Sequence, residues 1–542
     1  MDLLLQLKEV ALATLTVPIS RLISYGCIAI LIFFVVQSGY RVTLHPLAKY
    51  PGPLSYKLSN WPLIFQCMGG NRHIHHLLDH KKYGQIVRIG PNTLSFNTST
   101  ALNTIYGPQK TNVCKSEWYR TLDAGSGAFS IATEIDKQRH IVRRRFIAQC
   151  FSTNTLKEAE EFILAHVKKF CEVIAPREGE WSEKKNVSAW CTWMAFDVMG
   201  DLAFGKKFDC LEKEDNRYIS RAIMSANKYM YWFAFLPGAR YLAPIMNSKF
   251  MEIIGGPSVQ DNVRLVNYGL EQLEAKVVAE KAAKAEGKPL RKDMMHYLLN
   301  AQDPKTGVAL SKAELLADSV LFIAAGADTT ATALAASFFY LLHNPSTLQK
   351  AAAEVRSTFQ SADEIRTGEK LDSCKYLDGV MEETLRRAPP KPSHVPREVL
   401  PGGLVIDGHH IPAGIVVGVP AYSIHHNPDY YPDPWSFCPE RWLVDERAGI
   451  TQASVNIARR AFCPFGLGIR GCIGKPLAYL EYKIALAHLL WKFDFRQAEG
   501  DTLGEGSRDL EVGRRRVDEW QMVDCIGVMR EGPMVEFKVA RY

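Results

Sequence analysis

Within nine residues, Gly466 to Gly474, the chain places four glycines, one arginine (Arg470) and one cysteine (Cys472), with no acid and no histidine among them. A thiolate is a soft metal ligand and a nucleophile, and glycine lets backbone come close to whatever it binds. Amides in such a loop can point at the sulfur and tune it. Structural zinc needs further Cys or His ligands at short spacing, and none accompanies Cys472. A single axial thiolate on haem iron fits the isolated cysteine, and Arg470 is placed to meet a carboxylate on the same group.

The second chemical feature is an acid in an apolar setting. From Ser319 to Leu342 the sole charged residue is Asp328, inside AGADTT (Ala325 to Thr330). Ser311 and Glu314 form an S-x-x-E capping box and Asn344-Pro345 a stop. Between them the pattern predicts one helix of about thirty residues, about 48 Å long, which could cross a whole domain. A membrane span is disfavoured, because a carboxylate at the bilayer centre costs about 2.5 kcal/mol or more and no basic flank supports it. Gly326 with the hydroxyls of Thr329 and Thr330 can loosen the helical ladder and leave a notch for water or a small ligand. Asp328 and Thr329 then read as a proton relay; the alternative is a packing irregularity in a core helix.

Glu383 and Arg386 stand three apart, on one helical face, a spacing that is usually a surface ion pair. Arg441, in a proline-bounded segment (Phe437 to Trp442), could join them in a three-member cluster, although spacing alone cannot bring it there.

These residues need elements to hold them. Between Arg21 and Arg41 lie nineteen uncharged residues, long enough as a helix (about 28 Å) to cross a bilayer; a buried core helix is the alternative. Arg41, Lys49 and Lys57 follow it, whereas the charges upstream cancel, which places the bulk of the chain in the cytosol. Prolines 46, 51 and 53 predict a stiff, extended connector. A β-like segment follows near Gln85 to Thr98. From about Thr133 to Lys350 the signals are mainly helical, with Glu274 to Lys288 a solvated face, and Pro401 to Val417 returns to short strands. The fold class is mainly α with a smaller β portion. Net charge is +7 without a run of five basic residues, so no nucleic-acid partner is expected. The twelve cysteines lack any framework spacing and read as reduced core thiols, Cys463 included.

Phe465, Gly468, Arg470, Cys472 and Gly474 have the spacing F-x-x-G-x-R-x-C-x-G, and in this respect the chain resembles the cytochrome P450 monooxygenases. The resemblance extends, in order, to AGADTT, to E-x-x-R at Glu383 and Arg386, and to P-E-R-W at Pro439 to Trp442. HPLAKYPGP (His45 to Pro53) and AFDVMGDLAFG (Ala195 to Gly205) look most like filamentous-fungal members of secondary metabolism. It implies the P450 fold behind one transmembrane helix: an anchor at 1–40, a proline-rich connector at 41–60 and a haem-thiolate catalytic domain at 61–542.

Residue by residue, the resemblance implies Cys472 as axial ligand of haem b and Phe465 beside it, with Arg470, Arg397 and Arg144 binding the propionates. His140 lies where many relatives carry tryptophan. Asp328 and Thr329 match the acid–alcohol pair that delivers protons, and Glu383, Arg386 and Arg441 a structural triad. The implied activity inserts one atom of O2 into an apolar small molecule of terpenoid, polyketide or indole type. Electrons would come from NADPH through cytochrome P450 reductase, with cytochrome b5 as a further partner. The expected location is the endoplasmic reticulum membrane, single-pass, with the catalytic domain facing the cytosol. Desaturation, ring formation or rearrangement on the same fold is the alternative, and a non-catalytic haem sensor a remote one. Expected substrate walls are Tyr119 to Ile131, Met230 to Pro244, Phe322, Ala325, Val395 and Ile526 to Val528.

Overall fold

Helices dominate the computed structural model, which describes residues 19–108, 111–122, 127–239, 241–242, 253, 256–303 and 307–541. The helices that bear on the site are α1 (Ile19–Thr43), α2 (Lys137–Ala148), α3 (Thr153–Ile174), α4 (Val187–Phe204), α5 (Tyr218–Phe233), α6 (Pro257–Ala285), α7 (Lys312–Leu342), α8 (Lys375–Arg387) and α9 (Lys475–Lys492).

The helix α7 begins where the sequence predicts. The Ser311 side chain caps the Glu314 amide, and the Glu314 carboxylate accepts from the Ser311 amide at 2.9 Å. It packs against α4, in which every residue from Met194 to Phe204 is buried. A helix that is apolar on all sides belongs in a core. Gly326 faces α4: a Cβ there would come within 2.6 Å of Met199 Sδ, so the glycine also makes room for helix packing.

Short strands form the β portion: β1 (Ile86–Gly90), β2 (Thr93–Phe96), β3 (Val113–Lys115), β4 (Lys185–Asn186), β5 (Arg397–Val399), β6 (Leu404–Ile406), β7 (His409–Ile411), β8 (Val416–Gly418), β9 (Phe493–Gln497), β10 (Met522–Cys525), β11 (Gly527–Arg530) and β12 (Met534–Val539). The largest sheet runs β1-β2-β8-β5-β3, parallel between β2 and β8 and antiparallel elsewhere. β10 and β11 form a hairpin that turns at Ile526.

The helix α1 is long and apolar enough to cross a membrane, and none of its most apolar window is buried. α7 passes the same test of length and composition, yet 72% of its window is buried, as suits a core helix. The end of α1 is tied to the body. The buried Arg88 side chain of β1 donates to the Arg41 carbonyl at 2.8 Å, and the Arg41 guanidinium donates to the Leu58 carbonyl.

Two expectations change. The connector is not extended throughout: residues 44–50 form turns and Leu54–Leu58 is a short helix, leaving 51–53 extended. Proline's fixed φ suits turns and the residues that open a helix as well as extended chain. The solvated face over Glu274 to Lys288 holds in part only. Lys276 and Glu280 are buried, Lys276 on Asp293 and Glu280 on His296 at 2.9 Å, so α6 is pinned by ions on one side.

Candidate functional site

The cysteine loop folds back on itself. The Cys472 amide donates to the Phe465 carbonyl at 2.8 Å and the Gly471 amide to the Gly468 carbonyl at 2.9 Å. Gly466 and Gly468 have φ of 65° and 63°, which disfavours side chains, and a Cβ on Gly468 would lie 2.4 Å from the Tyr106 carbonyl oxygen. That glycine is spent on the neighbouring backbone. Cys472 itself is exposed, in a loop whose residues from Pro464 to Gly474 are half-buried or exposed. Desolvation still pushes its thiol up, while the amides of Gly474 and Lys475 and the charges of Lys391 and Arg144 pull it down. The N-terminus of α9 thus aims its amides at the sulfur, as the glycine pattern suggested. Phe465 packs on Tyr479 at 5.1 Å between ring centres. By contrast Cys463 is buried, its thiol raised to about 12 by desolvation, with its sulfur 3.7 Å from His425 Nε2.

Around Cys472 the structure gathers positive charge. In the β3–β5 register Lys115 stands directly opposite Arg397, a like-charge pairing that destabilises a sheet unless an anion joins it. Arg470 donates to the carbonyls of Glu134 and Ile135, and Arg144 to that of Gly471 at 2.8 Å. Burial, with Arg397, lowers Arg470 to about 10. Burial, with Arg470, Arg397 and Lys391, holds Lys115 well below its ordinary value. His140 is buried with Nδ1 unpartnered, and burial plus Arg470, Lys115, Arg144 and Arg397 lower it to about 3. It is a neutral ring among cations. Such a surplus inside a protein calls for buried anions. The two carboxylates of haem would suit this donor set, and Cys472 would supply the thiolate.

The open face of α7 completes the picture. Ala325 is exposed and Thr329 half-buried on an otherwise packed helix, and the Thr329 hydroxyl donates to the Ala325 carbonyl at 2.8 Å. Asp328 is buried, and its Oδ1 accepts from Arg530 Nη1 at 2.7 Å. The two neighbours in sequence therefore face different surroundings. Toward the N-terminal half of the helix, the Phe151 ring contacts Phe322 at 6.2 Å and lies beside Gly474, linking α7 to the cysteine loop.

Glu383 and Arg386 are both fully buried and bidentate, at 2.8 and 2.9 Å, and Arg441 meets the same carboxylate at 3.2 Å. The Cys438 amide and Trp442 Nε1 each add a hydrogen bond at 3.0 Å. The cluster that spacing left open is formed.

Of the expected walls, Tyr231, Trp232, Phe235 and Ile526 collect with Trp118 in one apolar group, Trp118 stacking on Phe235 at 5.4 Å. Val395 is half-buried, with its carbonyl on the Tyr106 hydroxyl at 2.7 Å. Residues 123–126, 240 and 243–244 of those walls lie outside the described residues. Sequence reasoning missed Lys115 and Arg530. Neither sits in a motif: Lys115 is placed by strand pairing remote in sequence, and Arg530 by a C-terminal hairpin that meets α7.

The sequence model of the family described as Cytochrome P450 matches residues 51–507. The chain is 37% identical over 529 residues to cytochrome P450 monooxygenase fscF of Fusarium equiseti, covering 97% of this chain and 98% of that protein. It is 35% identical to cytochrome P450 monooxygenase atnE of Emericella nidulans (94% and 95% covered) and 35% identical to AKT7 of Alternaria alternata (92% and 94%). A crystal structure of the cytochrome P450DA heme domain shares the fold, with a TM-score of 0.69 at 19% identity over 91% of this chain and 98% of that one.

Proposed function

The chain belongs to the cytochrome P450 family, whose haem is held by a cysteine thiolate, and we propose that Cys472 is that ligand in a monooxygenase of fungal secondary metabolism. The observation that carries this reading is the exposed residue Cys472, with α9 amides aimed at its sulfur, beside the cluster of Lys115, Arg397 and Arg470. Arg470, Arg397, Arg144 and Lys115 bind the two propionates, and His140 packs beside them as a neutral donor. Phe465 shields the thiolate.

Haem, when bound, supplies activation of O2. The protein's own residues hold substrate and manage protons. Thr329 Oγ1 has lone pairs free for a water on the open side of α7, and Asp328 replenishes that water's protons. The group around Trp118, Tyr231 and Phe235 offers an apolar, aromatic wall, which suits an apolar terpenoid, polyketide or indole-type metabolite. α1 anchors the protein in the endoplasmic reticulum membrane, and Arg41, Lys49 and Lys57 after it favour a cytosolic body. Arg139 and Arg145 of α2 and Lys475 at the start of α9 are exposed, and such basic side chains offer a surface to an acidic reductase, which passes electrons from NADPH.

The test is turnover of candidate metabolites with NADPH, reductase and isotopically labelled O2. One labelled oxygen atom in the product supports the reading; labelled water alone, with product lacking the label, contradicts oxygen insertion.

A further inference from the structure

His425 closes the short helix Ala421–His425 and is fully buried. It exchanges hydrogen bonds with Arg386 of α8. Arg386 Nη1 donates to the His425 carbonyl at 2.8 Å, and His425 Nδ1 lies 3.1 Å from the Arg386 carbonyl. A carbonyl can only accept, so the ring proton sits on Nδ1 and Nε2 is left as an acceptor. Nε2 takes the Cys463 amide at 3.0 Å, and the Cys463 sulfur stands 3.7 Å from the same atom. Burial, together with Arg386, lowers His425 to about 3, which keeps the ring neutral. Two rings fix its plane: Phe462 stacks on it at 5.5 Å and Tyr431 meets it edge-on at 6.2 Å.

A hydrogen-bonded series therefore runs from α8 into the cysteine loop. The Cys463 carbonyl accepts from the Gly466 amide at 3.0 Å, closing a turn in which Gly466 has φ of 65°. Inside that turn the Phe465 carbonyl accepts from the Cys472 amide at 2.8 Å. Pro464 has no amide of its own, which leaves the Cys463 amide to anchor the turn from outside. The position asks for a donor towards Arg386 and an acceptor towards Cys463 on one rigid ring, and neutral imidazole carries both. Without the acceptor, the buried Cys463 amide would be unpaired.

We propose that His425 is a positioning residue for Cys472: by accepting the Cys463 amide at Nε2 it registers the cysteine loop on α8 and fixes where the sulfur stands. This rests on the reading of Cys472 as the haem ligand. His425 acts through the turn at Cys463 to Gly466 and the Phe465 carbonyl. When Nε2 is removed, the turn is released, the Cys472 amide loses its fixed partner, and thiolate ligation becomes labile.

The test separates the two edges of the ring. In His425→Gln the side-chain oxygen takes the place of Nε2, so the acceptor for Cys463 is kept. In His425→Asn the side-chain nitrogen takes the place of Nδ1, so the donor for Arg386 alone is kept; His425→Phe keeps a ring and neither function. Full-length, haem-loaded proteins are read in two ways. One is hydrogen exchange of the peptide that carries the Cys463 amide; the other is the rate at which the red-shifted ferrous–CO band decays on mild warming. Both should quicken about tenfold in His425→Asn and His425→Phe, as the loss of one buried hydrogen bond implies. His425→Gln should stay close to wild type, and so should Cys463→Ala, which loses the thiol and keeps the amide. If His425→Gln behaves like the other two, or all three behave like wild type, His425 does not position the loop. Faster exchange with an undisturbed band cuts the link to Cys472 and overturns the proposal. Should His425→Asn and His425→Phe fail to load haem while His425→Gln loads it normally, the acceptor is what separates them and the proposal stands; failure of His425→Gln as well overturns it. A wild type without the red-shifted band would strike the reading of Cys472 itself, and this inference with it.

Discussion

Arg441 Nε lies 3.2 Å from Glu383 Oε1, across 58 positions of sequence, and shares that oxygen with Arg386 and the Cys438 amide. Burial alone would raise the Glu383 carboxyl, but the two guanidiniums and the amide override it and hold the group at about 2. The pair ties α8 to the segment ahead of the cysteine loop, so its integrity is a matter of folding.

Glu383→Ala strands the buried Arg386 and deprives the half-buried Arg441 of its partner, a loss of about 3–5 kcal/mol. Denaturant unfolding and haem content should report it together, with poorly folded, haem-depleted protein. A folded, fully loaded variant that has lost turnover selectively would reassign Glu383 to chemistry.

Acid should weaken the same cluster. A carboxyl depressed in the folded state contributes stability that is present above its unfolded pKa and lost as pH falls through the folded one. For Glu383 that window runs from its ordinary value, 4.5, down to about 2. Unfolding free energy should therefore decline over this range, and the decline attributable to Glu383 should be missing from Glu383→Gln.

Lys115→Met removes one proposed propionate partner, together with its bonds to the Ile131 and Ala132 carbonyls, while relieving the like-charge pairing with Arg397. The chain should fold, yet release haem about tenfold faster or more to apomyoglobin, the rate expected from losing one charged hydrogen bond of about 1.5 kcal/mol. An unchanged release rate would take Lys115 out of the haem site.

Thr329→Ala leaves α7 and the cysteine loop intact but removes the hydroxyl proposed to hold water. NADPH oxidation should continue while hydrogen peroxide rises and product per NADPH falls. Asp328→Asn should instead slow oxygen uptake itself. The check is simultaneous measurement of NADPH, peroxide and product; unchanged coupling in Thr329→Ala would exclude the hydroxyl from proton handling.

Deleting residues 1–40 removes most of α1 yet spares Arg41, whose contacts with Leu58 and Arg88 tie the helix end to the body. The shortened protein should fold, bind haem and partition less to membranes in a flotation assay. Failure to take up haem would mean that α1 contributes to folding.

Much of this was legible in the chain because it is local. The capping box, the stop at Asn344-Pro345 and the lone acid define α7 to within a residue or two, since helix ends depend on nearby side chains. The cysteine loop is likewise a short-range pattern. What escaped depends on pairing between distant segments. Lys115 comes to stand opposite Arg397 because β3 lies against β5, and Arg530 reaches Asp328 because a C-terminal hairpin folds over α7. The packing of Met199 against Gly326 was likewise not legible, because Met199 lies on another helix. Prolines 46, 51 and 53 fit turns and extended chain alike, so composition could not choose between them.

The most direct test of the account is the absorption of the ferrous–CO complex in Cys472→Ser and Cys463→Ser. Thiolate ligation gives a red-shifted band that other axial ligands do not. Cys472 has an exposed sulfur under α9 amides, whereas Cys463 is buried beside His425. The band should vanish in Cys472→Ser and persist in Cys463→Ser. Retention of the band in Cys472→Ser, with its loss in Cys463→Ser, would contradict the account.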